Sequence, residues 1–342
     1  MLHKNLYFIL VIAVAVSQTL LFGQEVTKTG TTAAKFLSIG IGPRANAMGA
    51  AFSAIADDAT AMYWNPAGIA QVDEYQAVFN YSSLFADLSV NYFGVVIPAG
   101  DLGNIGLNVT IMDIGEMEVT TENYPEGTGE FFSAASYAFG LTYARYVTND
   151  FLVGINLKYV REDIFNSSAN GFCIDIGTIF TTPFYGIRFA STISNYGTKM
   201  QMTGEDLLVR YDQDVNRAGN NDQIDAYLST DNFELPLRLQ IGLARSFNFL
   251  EDQKFTLAVD ATYPNDNAQW VNIGGELSLL DNMIALRGGY KTLFLKDSQE
   301  GLTFGFGFKY DKLSGFTIAI DYAYQQFKYL SNTHSFGIIL GF

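Results

Sequence analysis

Large apolar side chains recur at every second residue over most of this chain, and that period constrains the fold more than any other feature. Leu302, Phe304, Phe306, Phe308 and Tyr310 alternate with Thr303, Gly305, Gly307 and Lys309. Phe316, Ile318, Ile320, Tyr322 and Tyr324 alternate with Thr317, Ala319, Asp321 and Ala323. Phe151, Val153, Ile155, Leu157 and Tyr159 do the same against Leu152, Gly154, Asn156 and Lys158. Successive residues of a strand point to opposite faces, so each run is a strand with one greasy face and one small or polar face. Fourteen such runs can be placed, at 74–84, 87–98, 103–115, 131–147, 150–164, 170–181, 184–198, 234–249, 253–263, 269–280, 283–294, 301–311, 314–327 and 333–342.

The connections sort by parity. Those after even-numbered runs are tight, at 99–102, 148–149, 182–183, 250–252, 281–282 and 312–313. Several after odd-numbered runs are long, above all 116–130, 165–169 and 199–233. Short turns at one end and long loops at the other is the asymmetry of an outer-membrane barrel. An even strand number puts both termini on the short-turn, periplasmic side.

Composition decides which face meets solvent. Only 16% of residues are charged, against 15% aromatic. A soluble sandwich could use the same alternation with its polar faces in water, but such a surface would be rich in charge. These polar faces carry Gly, Ala, Ser, Thr and Asn with about one charge per strand. A propeller would show a repeat of about 40–50 residues, and there is none. In a membrane the apolar face turns outward and the aromatic excess forms interfacial girdles. The expected fold is all-β: a 14-stranded antiparallel transmembrane β-barrel over 74–342, surrounded by outer-membrane lipid.

Ahead of the barrel the chain changes character twice. His3 and Lys4 precede the apolar run Leu6–Val16. Its 11 residues fall short of the roughly 20 of a spanning helix and fit the about 7–15 of a signal-peptide core. Cleavage after Gly23 is expected, making 1–23 a signal peptide. Residues 24–73 lack strand alternation and are rich in Gly and Ala, which suits close packing in a confined space. A helix over Ala45–Ile55 is expected, then a second short turn near Ala59 capped by Asp57 or Asp58. Pro66 forbids a central strand. This segment reads as a plug, or hatch, folded in the periplasmic half of the lumen.

The hatch also carries a signature. Gly42-Pro43-Arg44-Ala45, Met48-Gly49-Ala50-Ala51-Phe52, Ala56-Asp57-Asp58-Ala59 and Tyr63-Trp64-Asn65-Pro66-Ala67-Gly68 together resemble the amino-terminal signature of the PorV/PorQ family. Glu234-Leu235-Pro236-Leu237-Arg238 is similar to a strand entry of that family. The family is related to FadL-type transporters, which have a similar Asn-Pro-Ala in their hatch. The resemblance implies a fourteen-stranded barrel with an N-terminal hatch, in which Arg44, Asp57, Asp58, Asn65, Pro66 and Ala67 are the motif residues. It further implies a part in type IX protein secretion, with cargo signal domains and other secretion proteins as partners. The FadL side of the relationship implies the alternative, transport of hydrophobic small molecules through a lateral opening. At the other end of the chain, Phe336, Ile338, Leu340 and Phe342 share one face and resemble the carboxy-terminal assembly signal of bacterial outer-membrane barrels.

The polar residues leave few other functions. Lumen parity holds Asn108, Asn156, Lys158, Asp175, Arg188, Arg238, Gln240, Asp260, Glu276, Arg287, Lys291, Lys309, Asp321 and Gln325. Buried charges need partners, so these are expected to pair with each other and with Arg44, Asp57 and Asp58. The net charge of -15 excludes nucleic acid, whose phosphates require Lys and Arg. Acids cluster between Asp113 and Glu130 and between Glu205 and Glu234, as solvated loops or as docking for a basic partner. Asp212, Asp214 and Asn216 have the alternate spacing of a calcium loop, but Arg217 and Gln223 stand where an EF-hand needs Gly and Glu. Loop calcium is therefore the lesser expectation. No catalytic residue is assigned: His334 is the sole histidine after the signal segment and no Ser–His–acid arrangement follows from Ser331, Ser335 and Asp321. No cofactor motif is present, and the lone Cys173 reads as a buried thiol.

Overall fold

The computed structural model describes residues 29–342 except 87, 215, 217, 218, 220, 222, 251 and 314. The expected signal peptide, 1–23, lies outside the described residues, as does the start of the expected hatch. Fourteen antiparallel strands close into one barrel. They are β1 (Gln76–Ser83), β2 (Ser89–Pro98), β3 (Asn104–Glu118), β4 (Phe131–Thr148), β5 (Phe151–Ile164), β6 (Ser167–Thr181) and β7 (Arg188–Gly197). The second half comprises β8 (Arg238–Leu250), β9 (Gln253–Pro264), β10 (Trp270–Leu279), β11 (Ile284–Leu293), β12 (Glu300–Leu313), β13 (Phe316–Phe327) and β14 (Thr333–Gly341). Each pairs with its neighbours in sequence, and β1 closes on β14 from Gln76↔Gly341 to Ser83↔His334.

Strand ends depart most from the sequence pattern where backbone chemistry intervenes. β7 begins at Arg188 because Thr182 accepts the return of the chain in a turn, its N–H bonding Ile187 O, with Tyr185 at φ 56°. β8 begins at Arg238 because Pro236 has no N–H to give to a ladder, while Glu234 O accepts from Ala33 N instead.

The barrel is inverted relative to a soluble protein. Phe93, Leu107, Phe139, Leu157, Phe172, Leu243, Phe304 and Ile320 are all exposed on the outer wall. An apolar band of that kind is stable against hydrocarbon, not water. The apolar core lies in the lumen, where residues of the N-terminal segment pack against the small inward residues of the strands. Ala45, Ala47, Ala51, Phe52, Ala54, Ala56, Ala59 and Ala61 are completely buried there.

This segment threads the lumen lengthwise and does not stay in the periplasmic half. At the long-loop end, Ala34 N donates to Glu162 Oε2 at 3.0 Å and Thr32 Oγ1 to Asp266 Oδ2 at 2.8 Å. At the short-turn end, Ala59 N donates to Gln76 Oε1 at 2.6 Å, and Asn104 Nδ2 to the carbonyls of Ile69 and Val72. So the described N-terminal residues sit opposite Phe342, whereas the sequence placed both ends on one side. Helix is also scarcer than expected. Among the described residues only α1 (Pro43–Ala47) and α2 (Ala61–Trp64) are α-helical, because Gly49 and Ala50 take positive φ, 64° and 62°, which stops a right-handed helix. A barrel wall lies on every side, so the chain bends to fit it and does not complete turns.

Candidate functional site

The Asn65-Pro66-Ala67 motif is a cap and an anchor together. Pro66 opens a 3-10 turn, Pro66–Gln71, with its missing N–H at a position that needs none. Asn65 Oδ1 accepts from Ala67 N at 3.2 Å, while Asn65 Nδ2 donates to Ser53 O within the segment and Thr178 O on β6. All donors of this buried amide are thus used, and they fix the turn to the wall. The wall can be approached so closely because Gly154 and Gly177 face the turn: a Cβ on Gly154 would strike Pro66 and Ala67, and one on Gly177 would strike Asn65 and Pro66.

Arg44 is the hub of the lower half. Its guanidinium bonds Asp57 Oδ1 at 2.5 Å, Asp58 Oδ2 at 3.1 Å and Glu276 of β10 at 3.0 Å. Arg287 of β11 continues the chain, bonding Glu276 at 2.7 Å and then Asp321 of β13. Two cations and four acids therefore form one network that joins segment to wall, the pairing expected from the sequence. The guanidinium fork suits this task because it can address several carboxylates at once. A second cluster lies across β5–β7. Lys158 bonds Asp175 at 2.8 Å and Asn195 at 2.5 Å, and Asp175 Oδ1 accepts Asn195 N at 2.7 Å. The last bond fills a break in the β6–β7 ladder, where Asn195 bulges at φ 63°.

Two cavities flank the segment. The lower one, about 380 Å³, opens among the short turns and is lined by Arg44, Asp57, Lys254, Arg287, Lys309 and Asp321. The upper one, about 470 Å³, lies beneath the long loops, against Trp64, Arg238, Gln240, Trp270 and Lys291. They share no lining residue. Between them the buried segment fills the lumen. The wall is closed at β3 as well: β3 pairs with β2 from Asn104 to Asp113 and with β4 as far as Glu118. At Asp113-Ile114-Gly115 the β3–β4 register shifts in a bulge, with Gly115 at φ 81°, and the strand is not broken.

Other residues singled out in the sequence are dispersed. Phe336, Ile338, Leu340 and Phe342 all face outward, and Phe342 stacks on Tyr75 and Phe316 where β14 meets its neighbours. His334 is outward too, its Nδ1 bonded to Tyr322 OH at 2.8 Å, while Ser335 is buried on the opposite parity with Asp321. No Ser–His–acid group is assembled from them. In the long loop, Leu208–Tyr211 and Ile224–Tyr227 form a projecting hairpin. Asp212 and Asp214 accept backbone N–H groups two residues on, and Arg217 lies outside the described residues. Among the described residues no three acidic, His or Cys side chains converge as a metal site. Pattern reading passed over two contacts. Asp260 of β9, fully buried, accepts both Phe52 N and Ser53 N. Arg238 stands over the rings of Tyr63 and Trp64. Parity placed both side chains in the lumen, but the partners come from a segment with no period to read.

Residues 9–175 match the model of UPF0164, an uncharacterised protein family. No curated protein matches the chain. Among solved structures, the toluene transporter TodX of Pseudomonas putida is similar with a TM-score of 0.57 at 14% identity, covering 88% of this chain and 97% of its own. The CymD monoaromatic hydrocarbon channel gives 0.55 at 12%, covering 88% and 96%. A Pseudomonas aeruginosa FadL homologue gives 0.51 at 11%, covering 89% and 97%. At these identities the likeness is one of fold: this chain is a closed 14-strand antiparallel barrel similar to the FadL and TodX outer-membrane channels.

Proposed function

We propose that the protein is a non-enzymatic outer-membrane channel for small molecules of hydrophobic character, with the N-terminal segment as its plug. The observation that carries this is the pair of cavities, one at each end of a lumen that the segment alone divides. A barrel built only to be a rigid anchor has no need of a cavity at each mouth. The fold it shares with TodX and CymD, whose names describe toluene transport and a monoaromatic hydrocarbon channel, supports the same reading. The test is flux. Purified protein in liposomes whose lipopolysaccharide leaflet slows apolar solutes should admit toluene faster than the same liposomes without it, and equal rates would remove the proposal.

A second reading, cargo handling in type IX secretion, draws on the Gly42–Gly68 signature and on the hairpin that projects from the long-loop end. Its exposed Tyr211 and Tyr227 could meet a protein partner. The known folds that resemble this chain lend more support to the channel. Deleting the gene and scoring export of proteins with a type IX signal domain separates the two, since a channel for small molecules leaves that export intact.

A further inference from the structure

The upper cavity differs from a pocket for plain hydrocarbon in the number of polar atoms left without partners. Arg238 Nε, Gln240 Oε1, Thr262 Oγ1 and Gln299 Oε1 are buried with no hydrogen-bond partner among the described residues, and all four side chains line this cavity. Gln240 and Thr262 are only 1% and 2% exposed. Unpaired buried polar groups are rare in folded proteins and each calls for an explanation. None of the four atoms is itself open to the cavity, but all four belong to side chains that line it and that can turn to meet a ligand supplying the missing bonds.

Their chemistry says what kind. Arg238 is in no ion pair among the described residues. Asp260 Oδ2 accepts two backbone N–H groups, and Asp260 makes no ion pair with Arg238 although the two charges act on each other through space. Of the other charged residues lining the cavity, Lys291 is held by Glu300 at 2.6 Å, and Lys296 and Asp297 also contribute. The Arg238 guanidinium is positioned over Tyr63 and Trp64 at 5.6 and 5.8 Å, so it is fixed in place with a donor to offer. A planar fork of this kind recognises a carboxylate. The glutamine oxygens need a donor, which a hydroxyl provides, and the Thr262 hydroxyl can give or accept. Trp64 and Trp270 contribute flat apolar surface to the same cavity.

We propose that the upper cavity binds a small hydroxylated aromatic acid, with its carboxylate on Arg238, its hydroxyl toward Gln240, and its ring against the tryptophans. This rests on the channel reading and narrows it, from hydrophobic molecules in general to those with a polar head at each end. A volume of about 470 Å³ lies within the usual range of small-ligand sites.

The chain has only two tryptophans, and both line this cavity, so tryptophan emission reports on it alone. Full-length protein in detergent is titrated by calorimetry and by emission with para-hydroxybenzoate, benzoate and toluene. Saturable binding of para-hydroxybenzoate about tenfold or more tighter than toluene is expected, with a matching change in emission. Arg238→Gln should weaken both acids about tenfold or more and leave toluene unchanged. Gln240→Leu keeps the charge intact and should erase the advantage of para-hydroxybenzoate over benzoate, so the test survives if Arg238→Gln fails to fold. Toluene binding as tightly as the acids, or neither variant altering the order of affinities, would overturn the assignment. Liposome flux separates the two claims: toluene flux without acid binding sinks this site and spares the channel, whereas acid binding without flux of any of the three does the reverse.

Discussion

The lower and upper halves of the lumen use the same residue types in opposite ways. Below, Arg44 and Arg287 are tied through Glu276 to Asp57, Asp58 and Asp321, so each cation has at least two acids. Above, Arg238 has aromatic faces and, among the described residues, no acid in ion-pair contact, and the amides beside it are short of partners. Paired charges in a low-dielectric interior hold a geometry, because moving either partner leaves the other uncompensated. Unpaired polar groups hold nothing and remain free to bind. The difference teaches that a charge network fastens the segment below, whereas the upper half, tied at Thr32 and Ala34, keeps other polar side chains free to receive a visitor.

The sharpest way to break this contrast is Arg44→Glu, which sets a fourth acid among three and should loosen the lower half by about 3–5 kcal/mol. Cells with that variant should become sensitive to vancomycin, and unchanged sensitivity would mean the network is not what holds the segment. Gly154→Val acts at the wall instead: its side chain would collide with Pro66 and Ala67, costing about 1–3 kcal/mol of overpacking. Dye leakage through reconstituted barrels should rise, and a tight barrel would show that the turn can shift aside. Asn65→Ala loses the cap of the 3-10 turn and its tie to Thr178 O, for about 0.5–2 kcal/mol. Urea unfolding in detergent, followed by the gel shift of folded barrel, measures that loss. Arg238→Gln should move the same unfolding curve least, by about 1 kcal/mol or less, because the lost cation–π contact is offset by removing an unpaired charge. If Arg238→Gln unfolds as readily as Arg44→Glu, both halves are structural and the contrast disappears.

The barrel was legible because its signal is repeated. Each strand carries the same period, so a weak local pattern such as Phe304–Gly305–Phe306 is confirmed by thirteen others, and errors stay at the ends, as at Pro236. The pairing of Arg44 with acids was legible for a different reason: a buried charge must have a partner, and parity put Glu276, Arg287 and Asp321 in reach. The path of Thr32–Asp73 was not legible. Its small residues fit any close surface, and only tertiary contacts decide that Ala34 lies by Glu162 at one end while Ala59 lies by Gln76 at the other. A run such as Ala45–Ile55 has helix propensity, but the wall overrides it at Gly49 and Ala50. The unsatisfied group around Arg238 was likewise hidden, since whether Gln240 Oε1 finds a partner is a matter of geometry and not of residue type.

The lengthwise path of the segment changes the count of passages through the membrane. Fourteen strands alone would return the chain to the side it left, but the polypeptide first travels the bore of its own barrel. Among the described residues it therefore runs the length of the barrel an odd number of times, and Thr29 and Phe342 lie at opposite ends of it. A peptide tag inserted beside Thr29 should be reached by antibody on intact cells, while one following Phe342 should stay hidden until the envelope is opened.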